Sequence, residues 1–308
     1  MPVQPRVIAI GEALIDITPG EGVDLAYPGG SPANVALALG RLGRTPTLVT
    51  QFAADAHGEL LHGWLQQAGV NVVSSVPATG RTSTARVTWD AEKNASYEFD
   101  IAWDVTLDDL PAADAIHVGS IATVLEPGAD AVLAFVTARA ASALVSFDPN
   151  ARPQITPDRD AALARVERLF ALSDVVKVSD EDLEWYYPGV AAEDAAARIL
   201  GLGAKLVALT RGGSGALIFR GSDVIKAPAP KVTVVDTIAA GDTFTAGLVD
   251  ALLTLGAHGP SARDVLSRLT VDELHRAASW AATAAAITVS RPGADPPTRA
   301  ELEAALRA

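Results

Sequence analysis

Cysteine is absent from all 308 residues. That gap removes disulfides, zinc–thiolate centres and cysteine nucleophiles together, and it suits a reducing, cytoplasmic setting. Cations are scarce too: 24 Lys and Arg stand against 37 Asp and Glu, a formal net charge of −13. A nucleic-acid surface needs clustered Lys and Arg, so nucleic acid is excluded as a partner, whereas a small anionic ligand needs only a local site. No apolar run reaches the ~18 residues of a membrane span, so no membrane partner is expected. The opening stretch MPVQPRVIAIGEALIDI has one early Arg, no small-residue cleavage site and acidic residues at once, unlike a signal peptide. None of the five His sits at metal-ligand spacing. No G-x-x-x-x-G-K-S/T occurs, and no G-x-G-x-x-G follows the first apolar run, which removes the P-loop and dinucleotide signatures. Gly212-Gly213-Ser214-Gly215 is followed by Ala216, which breaks the nucleophile elbow G-x-S-x-G and leaves a tight turn.

What is present is an alternation. Hydrophobic residues make up 49% of the chain, much of it Ala, which suits packed helices around a sizeable core. Strand-like runs at 6–10, 47–52, 114–120, 143–148, 174–179 and 205–210 alternate with helical periodicity over 31–42, 59–68, 129–140, 160–172 and 192–200. Further helices are predicted over 271–289 and 298–307, and a hairpin over 215–227. Such units give a mostly parallel sheet covered by helices on both faces, with ligands at the carboxyl ends of the strands. Asp148, Ser179, Thr210 and Asp236 each close an apolar run and should gather along that edge. Residues 81–99 break the rhythm with two strands joined at Ala91-Glu92-Lys93-Asn94. With an early strand near 12–27 they are predicted to form a small second sheet over the edge. Ala257 to Ser261 reads as the loosest stretch.

The segment Val232 to Leu255 organises the rest. It opens as a β-branched run that suits a buried strand, and breaks at Asp236-Thr237-Ile238-Ala239-Ala240-Gly241. It continues as a helix with Phe244, Leu248, Leu252 and Leu255 on one face. Bare N–H groups and the positive end of the helix dipole converge at such a break and make an anion site. Asp242 stands in it, placed either to cap the helix or to take a proton from a substrate.

Two motifs carry a family resemblance. Gly29-Gly30-Ser31-Pro32-Ala33-Asn34-Val35-Ala36 resembles the first signature of the PfkB, or ribokinase-like, carbohydrate kinases. Asp236 through Phe244 resembles the second, D-T-x-G-A-G-D, and Thr210-Arg211-Gly212-Gly213-Ser214-Gly215 lies where that family has its nucleotide turn. The resemblance implies one ribokinase-like domain over 1–308, a three-layer α/β/α sandwich with a β lid from about 12–28 and 80–104. It implies ATP as cosubstrate, Mg2+ arriving with it, and potassium as a further cation. Asp242 would be the base that deprotonates a sugar hydroxyl, with the amides of Ala240, Gly241 and Asp242 as anion hole and Ala239 at the turn. Asp16, Gly29, Gly30 and Asn34 would hold the sugar, with Asn150 and Arg152 beside sugar or phosphates. Lys177, Thr210, Gly212, Gly215 and Gly241 would face the nucleotide. Asp182 would organise Mg2+ through water, and Asp236, Ile238, Thr288, Arg291 and Gly293 would surround a monovalent cation. The lid's open strand would let two copies pair as a homodimer.

Two departures stand out: Ala239 occupies the family's usual Gly, and Ser179…Asp182 replaces N-x-x-E. Gly11-Glu12-Ala13-Leu14-Ile15-Asp16 and Asp148-Pro149-Asn150-Ala151-Arg152-Pro153 are similar to fructokinase stretches, which points to fructose. 2-Keto-3-deoxygluconate kinases are the main rival, other PfkB sugar or nucleoside kinases come behind them, and a non-catalytic sugar- or nucleotide-binding relative is the alternative of another class.

Overall fold

The computed structural model describes residues 4–20, 22–89 and 95–307. The strands are β1 (Val7–Ile10), β2 (Leu14–Thr18), β3 (Leu25–Gly29), β4 (Thr47–Gln51), β5 (Asn71–Ser75), β6 (Thr84–Trp89), β7 (Ala95–Asp100), β8 (Ala115–Gly119), β9 (Leu144–Asp148), β10 (Val175–Ser179), β11 (Leu206–Thr210), β12 (Ala216–Arg220) and β13 (Asp223–Ala227). The helices are α1 (Ser31–Arg41), α2 (Ala56–Gln67), α3 (Gly128–Arg139), α4 (Arg159–Leu172), α5 (Asp180–Tyr186), α6 (Ala192–Leu202), α7 (Ala240–Thr254), α8 (Ala262–Arg268), α9 (Val271–Val289) and α10 (Arg299–Arg307).

Nine strands form one sheet in the order β13-β12-β11-β10-β9-β8-β1-β4-β5. Pairing from β11 to β5 is parallel, and β12 and β13 add the antiparallel hairpin read from the sequence. Parallel strands buried on both faces must be apolar at nearly every position, and the strands alternate between two cores. Ile8, Ile10, Val118, Phe147 and Val176 pack with Val132 of α3, Val166 of α4 and Ile199 of α6. Val7, Leu144, Val175 and Leu206 pack with Leu39 of α1, Leu248 of α7, Leu266 of α8 and Ala281 of α9. The result is the expected three-layer α/β/α sandwich.

The second sheet has the order β3-β2-β6-β7. It joins the early strand to the 81–99 hairpin, as the sequence predicts; the turn read at 91–94 lies outside the described residues. No described helix is long and apolar enough to cross a membrane.

Three expectations are corrected. The run Val232–Val235 is not a buried strand: it carries no sheet pairing, and Val232, Val234 and Val235 are 41%, 61% and 58% exposed. The N–H groups of Val235 and Asp236 both turn to one carbonyl, Val289 O, at 2.8 and 3.2 Å. β-branched residues favour extended backbone, but a strand also needs a neighbour, and β13 already closes that edge of the sheet. Asp236 therefore does not end a strand, although Asp148, Ser179 and Thr210 do. Ala257 to Ser261 is not loose either. Ala257 is fully buried, and the Gly259 N–H donates to Asp114 O at 2.7 Å. β5, α5 and α8 were not anticipated; at five to seven residues they are too short for periodicity to reveal.

Ala239 enters α7 in the left-handed conformation, φ 58° and ψ 12°. A Cβ there costs ~1–2 kcal/mol, against about 0.4–1 kcal/mol of extra unfolded-chain entropy that glycine would bring. Ala239→Gly is therefore expected to stabilise the protein by roughly 1 kcal/mol. Chemical denaturation should show a higher midpoint, and a lower one would mean the turn relaxes around alanine at no cost.

Candidate active site

Asp242 lies where the two ends of the chain meet. It sits in the first turn of α7 and is buried. Its Oδ1 accepts a hydrogen bond from Ser31 Oγ at 2.6 Å, and its Oδ2 accepts one from Asn34 Nδ2 at 2.8 Å. Ser31 and Asn34 are three apart in the first turn of α1, so they project from one face. α1 and α7 pack side by side, which aims that face at the α7 tip. Gly30 caps α1 with φ 104°, and Pro32 fixes the next turn.

The tip of α7 retains free donors. Thr243 N–H closes the turn on Ala239 O at 2.8 Å, and Ala240 N–H turns to Thr237 O at 3.3 Å. The N–H groups of Gly241 and Asp242 have no acceptor among the described residues. Beside them lies a buried ammonium: Lys177 Nζ is 3.1 Å from Asp148 Oδ2. A Cβ on Gly241 would stand 2.9 Å from that Nζ, so the missing side chain is what lets the cation reach the tip. Burial alone would depress the Lys177 pKa, but the carboxylates of Asp148, Asp182 and Asp242 outweigh it and raise it.

Asp16 is the half-buried central residue of β2, and a Cβ on Gly29 would fall 2.3 Å from its Oδ2. Burial raises its pKa to about 6, against the pull of Arg152. Arg152 is exposed, and its guanidinium donates to Asn150 Oδ1 at 2.7 Å and Ala151 O at 2.8 Å. Its charge also reaches Asp242 and Glu12, so the 148–153 loop stands over the same ground. Asn150 has φ 37°. Glu12 is buried, donates nothing while ionised, and is pushed up to about 7 by desolvation, despite bonds from its own backbone, Ser120 and Ala122.

At the positions expected to face a nucleotide, Thr210 closes β11 in register with Ser179 of β10. Gly212 is exposed at φ 46°, and Gly215, at φ 86°, lies so close to Ala227 O that a Cβ would sit 2.2 Å away. The 3-10 turn between β11 and β12 is therefore fixed at one end and open at the other. Asp236 accepts from Ile238 N–H at 3.0 Å and from Gly293 N–H at 2.8 Å, joining the two loops named for a cation. Thr288 is buried and donates to Thr243 Oγ1, while Arg291 pairs with Asp295 and Glu301. Asp182 is engaged in local structure: it accepts from Ala151 N–H at 2.7 Å and from Ser179 N–H and Oγ at 3.0 and 2.6 Å, a capping box on α5. No group of three His, Asp or Glu among the described residues is arranged to hold a metal.

The structure thus brings Asp242, Asn34, Lys177 and Gly241 into contact, sets Asp16 and Arg152 near them, and ties Asp182 to α5. Ser31, Thr245 and Glu12 also stand here and were not singled out as site residues; Asp148, expected only at the ligand edge of the sheet, stands here too. Ser31 could have been found by its helical spacing from Asn34; nothing marks Thr245 in sequence.

Burial raises the Asp242 pKa, while Ser31, Asn34, Lys177 and Arg152 pull it down. A carboxylate can accept a proton only when ionised, so that capacity is lost as pH falls through this raised value. Ser31→Ala removes one of the bonds that favour the carboxylate. The acidic limb of the pH–kcat/KM profile should then move to higher pH; an unmoved limb would mean that the limb does not report Asp242.

A family profile described as pfkB family carbohydrate kinase matches residues 6–301. The chain is 38% identical over 262 residues to a fructokinase of Rhizobium leguminosarum bv. trifolii, covering 80% of this chain and 79% of that one. It is 34% identical over 322 residues to fructokinase-1 of Oryza sativa subsp. japonica, covering 96% and 95%. Among solved structures it superposes on ATP-bound fructokinase from Xylella fastidiosa with a TM-score of 0.85 at 26% identity, covering 99% of both chains. A double mutant of fructokinase from Vibrio cholerae O395, in a form with fructose, ADP and potassium, gives 0.82 at 28%, covering 98% of both. Aminoimidazole riboside kinase from Salmonella enterica, complexed with aminoimidazole riboside and an ATP analogue, gives 0.82 at 26%, covering 98% and 99%.

Proposed function

The chain belongs to the pfkB family of carbohydrate kinases, and from that we propose that it moves the γ-phosphoryl group of ATP to a hydroxyl of fructose, with Asp242 as the general base. The observation that carries the reading is the hydrogen-bonded contact of Asp242 with Ser31 and Asn34 across more than two hundred residues of chain. It puts a carboxylate, two free helix-tip amides and a buried ammonium at one point. Phosphoryl transfer asks chiefly for positioning and for neutralising charge on the group in passage. The Gly241 and Asp242 amides and Lys177 serve the second need; Asp16 and Asn34 serve the first by holding sugar hydroxyls. With both Asp242 oxygens bonded from α1, the incoming hydroxyl takes the place of one of those partners and delivers its proton to the freed oxygen.

ATP lies along the ends of β10 and β11, with Thr210, Gly212 and Gly215 at its face, and Mg2+ enters as part of that substrate. The tie between Asp236 and Gly293 supports potassium as the cation at 236–238 and 288–293, held by main-chain oxygens. The small sheet acts as a lid over the sugar, shutting out water. Exposed Val23, Leu25 and Tyr27 on and beside β3 favour a homodimer through that sheet. The absence of cysteine favours the cytoplasm.

Fructose rests on the similarity to several fructokinases. A riboside is the second reading, favoured by a fit to the riboside kinase with a TM-score of 0.82, equal to that of the Vibrio cholerae fructokinase; fructofuranose and ribosides share a five-membered ring with a primary hydroxyl. A coupled ADP-release assay with MgATP and a sugar panel tests both. Fructose is expected to give the highest kcat/KM; a riboside or 2-keto-3-deoxygluconate in first place would reassign the substrate. Sugar binding with no turnover would make the protein a binding relative.

A further inference from the structure

The kinase reading leaves Asp148 without a task, although no side chain near the site is more thoroughly removed from water. It ends β9 and has no exposed surface. Its Oδ2 faces Lys177 Nζ at 3.1 Å and accepts from Thr245 Oγ1 at 3.2 Å; its Oδ1 accepts from the Asn150 N–H at 3.2 Å. Such a pair is poorly explained by stability, because well-packed apolar residues in place of a buried ion pair are often as good or better. Nor is it needed by the other polar side chains of that face of the sheet. His117 and Ser146 lie on the same face of the sheet and pair with each other at 3.3 Å, and His117 is held neutral, its pKa pushed down to about 3 by burial first and Lys177 second.

What the pair does is aim a cation. An ammonium has three N–H donors, and among the described residues Lys177 has one acceptor, Asp148. The rest of the group lies against Gly241, whose N–H is one of the two free amides at the α7 tip. Thr245 stands one turn beyond Gly241, with its hydroxyl set between Asp148 Oδ2 and Gly241 O, the latter at 3.1 Å. Asp148 is thus joined to the tip through Lys177 and through Thr245, and to the loop of Arg152 through Asn150.

We propose that Asp148 is a positioning residue for phosphoryl transfer, holding the Lys177 ammonium against Gly241 so that its two remaining N–H groups meet the oxygens of the phosphoryl group in passage. This rests on the kinase reading. Asp148 touches neither substrate; it acts through Lys177, and a displacement of about 1 Å there is worth on the order of 10² in rate.

The test is a double-mutant cycle. Asp148→Asn keeps the shape and an acceptor for Thr245 or Asn150 but loses the charge that orients Lys177. In the wild-type background kcat should fall about 100-fold, with sugar KM changed by less than about threefold. In a Lys177→Met background the same substitution should cost less than about threefold, because there is no ammonium left to position. A purely structural role predicts losses that multiply. If Asp148→Asn does not fold, as judged by its thermal midpoint, Thr245→Val takes its place in the cycle, with a loss of about three- to tenfold that vanishes when Lys177 is Met. Wild-type kcat in these variants, or multiplying losses, overturns the proposal. A wild-type protein that phosphorylates no sugar strikes at the kinase reading itself.

Discussion

Asp242→Asn is expected to lose roughly 10²–10⁴ of kcat while keeping its fold and its affinity for ATP and sugar. The amide has the carboxylate's shape, so Ser31 Oγ still finds an acceptor. On the other side an amide NH2 would meet Asn34 Nδ2, donor against donor. Asn34 can resolve this by turning over, because its Oδ1 is buried and lacks a partner as the chain stands. The repulsion that a buried polar mismatch would cause is thereby avoided, and the loss falls on proton removal. Single-turnover rates with MgATP and fructose measure it, with thermal shifts by each ligand as the check on binding. A kcat near wild type would remove Asp242 from the role of base; lost ATP and sugar shifts would mean that the substitution had broken the site rather than its chemistry.

The same carboxylate shows what the sequence made legible. The layer architecture could be read because parallel strands and amphipathic helices impose different periods over many residues, and because β9, β10 and β11 end in polar residues at one edge. α7 was placed by a helical face that is buried from Phe244 through Leu252. The Val232–Val235 run was misread because propensity reports a residue's preference for extended backbone, whereas a strand requires a partner supplied from elsewhere in the chain. At the site, Asp242 and Asn34 were found through their signature turns. Asp148 was placed at the ligand edge without a role; Ser31 and Thr245 were not placed at all, since their side chains matter through contacts 211 and 97 residues away. The pairing of Lys177 with Asp148 follows from β9 and β10 being neighbours, a matter of sheet order rather than of local pattern. Asp182 was given to Mg2+ because it stands at the acidic end of the family's N-x-x-E, and the capping box and the Ala151 N–H show where its oxygens are used.

Gly30→Ala is expected to cost heavily in stability. Two effects act together. Gly30 has φ 104°, where a Cβ costs about 1–2 kcal/mol. A Cβ there would also lie 2.4 Å from Glu12 O and 3.0 Å from Ala13 Cα, both backbone atoms that cannot swing aside. Overpacking of that kind adds about 1–3 kcal/mol, for a total of roughly 2–5 kcal/mol and a thermal midpoint lower by about 3–8 °C. Gly43, at the other end of α1, separates the two effects: its φ is 81° but a Cβ would meet nothing within 4 Å. Gly43→Ala should therefore cost only the about 1–2 kcal/mol of the dihedral. The sign of the functional effect follows from the same geometry. To clear Glu12 O, the tip of α1 must move away from β2, carrying Ser31 and Asn34 off the Asp242 carboxylate. Activity in the folded Gly30→Ala protein should drop on the order of 10², whereas Gly43→Ala should turn over as wild type. Equal midpoints for the two variants would show that Glu12 and Gly30 are not in the tight contact on which the placement of Asn34 depends.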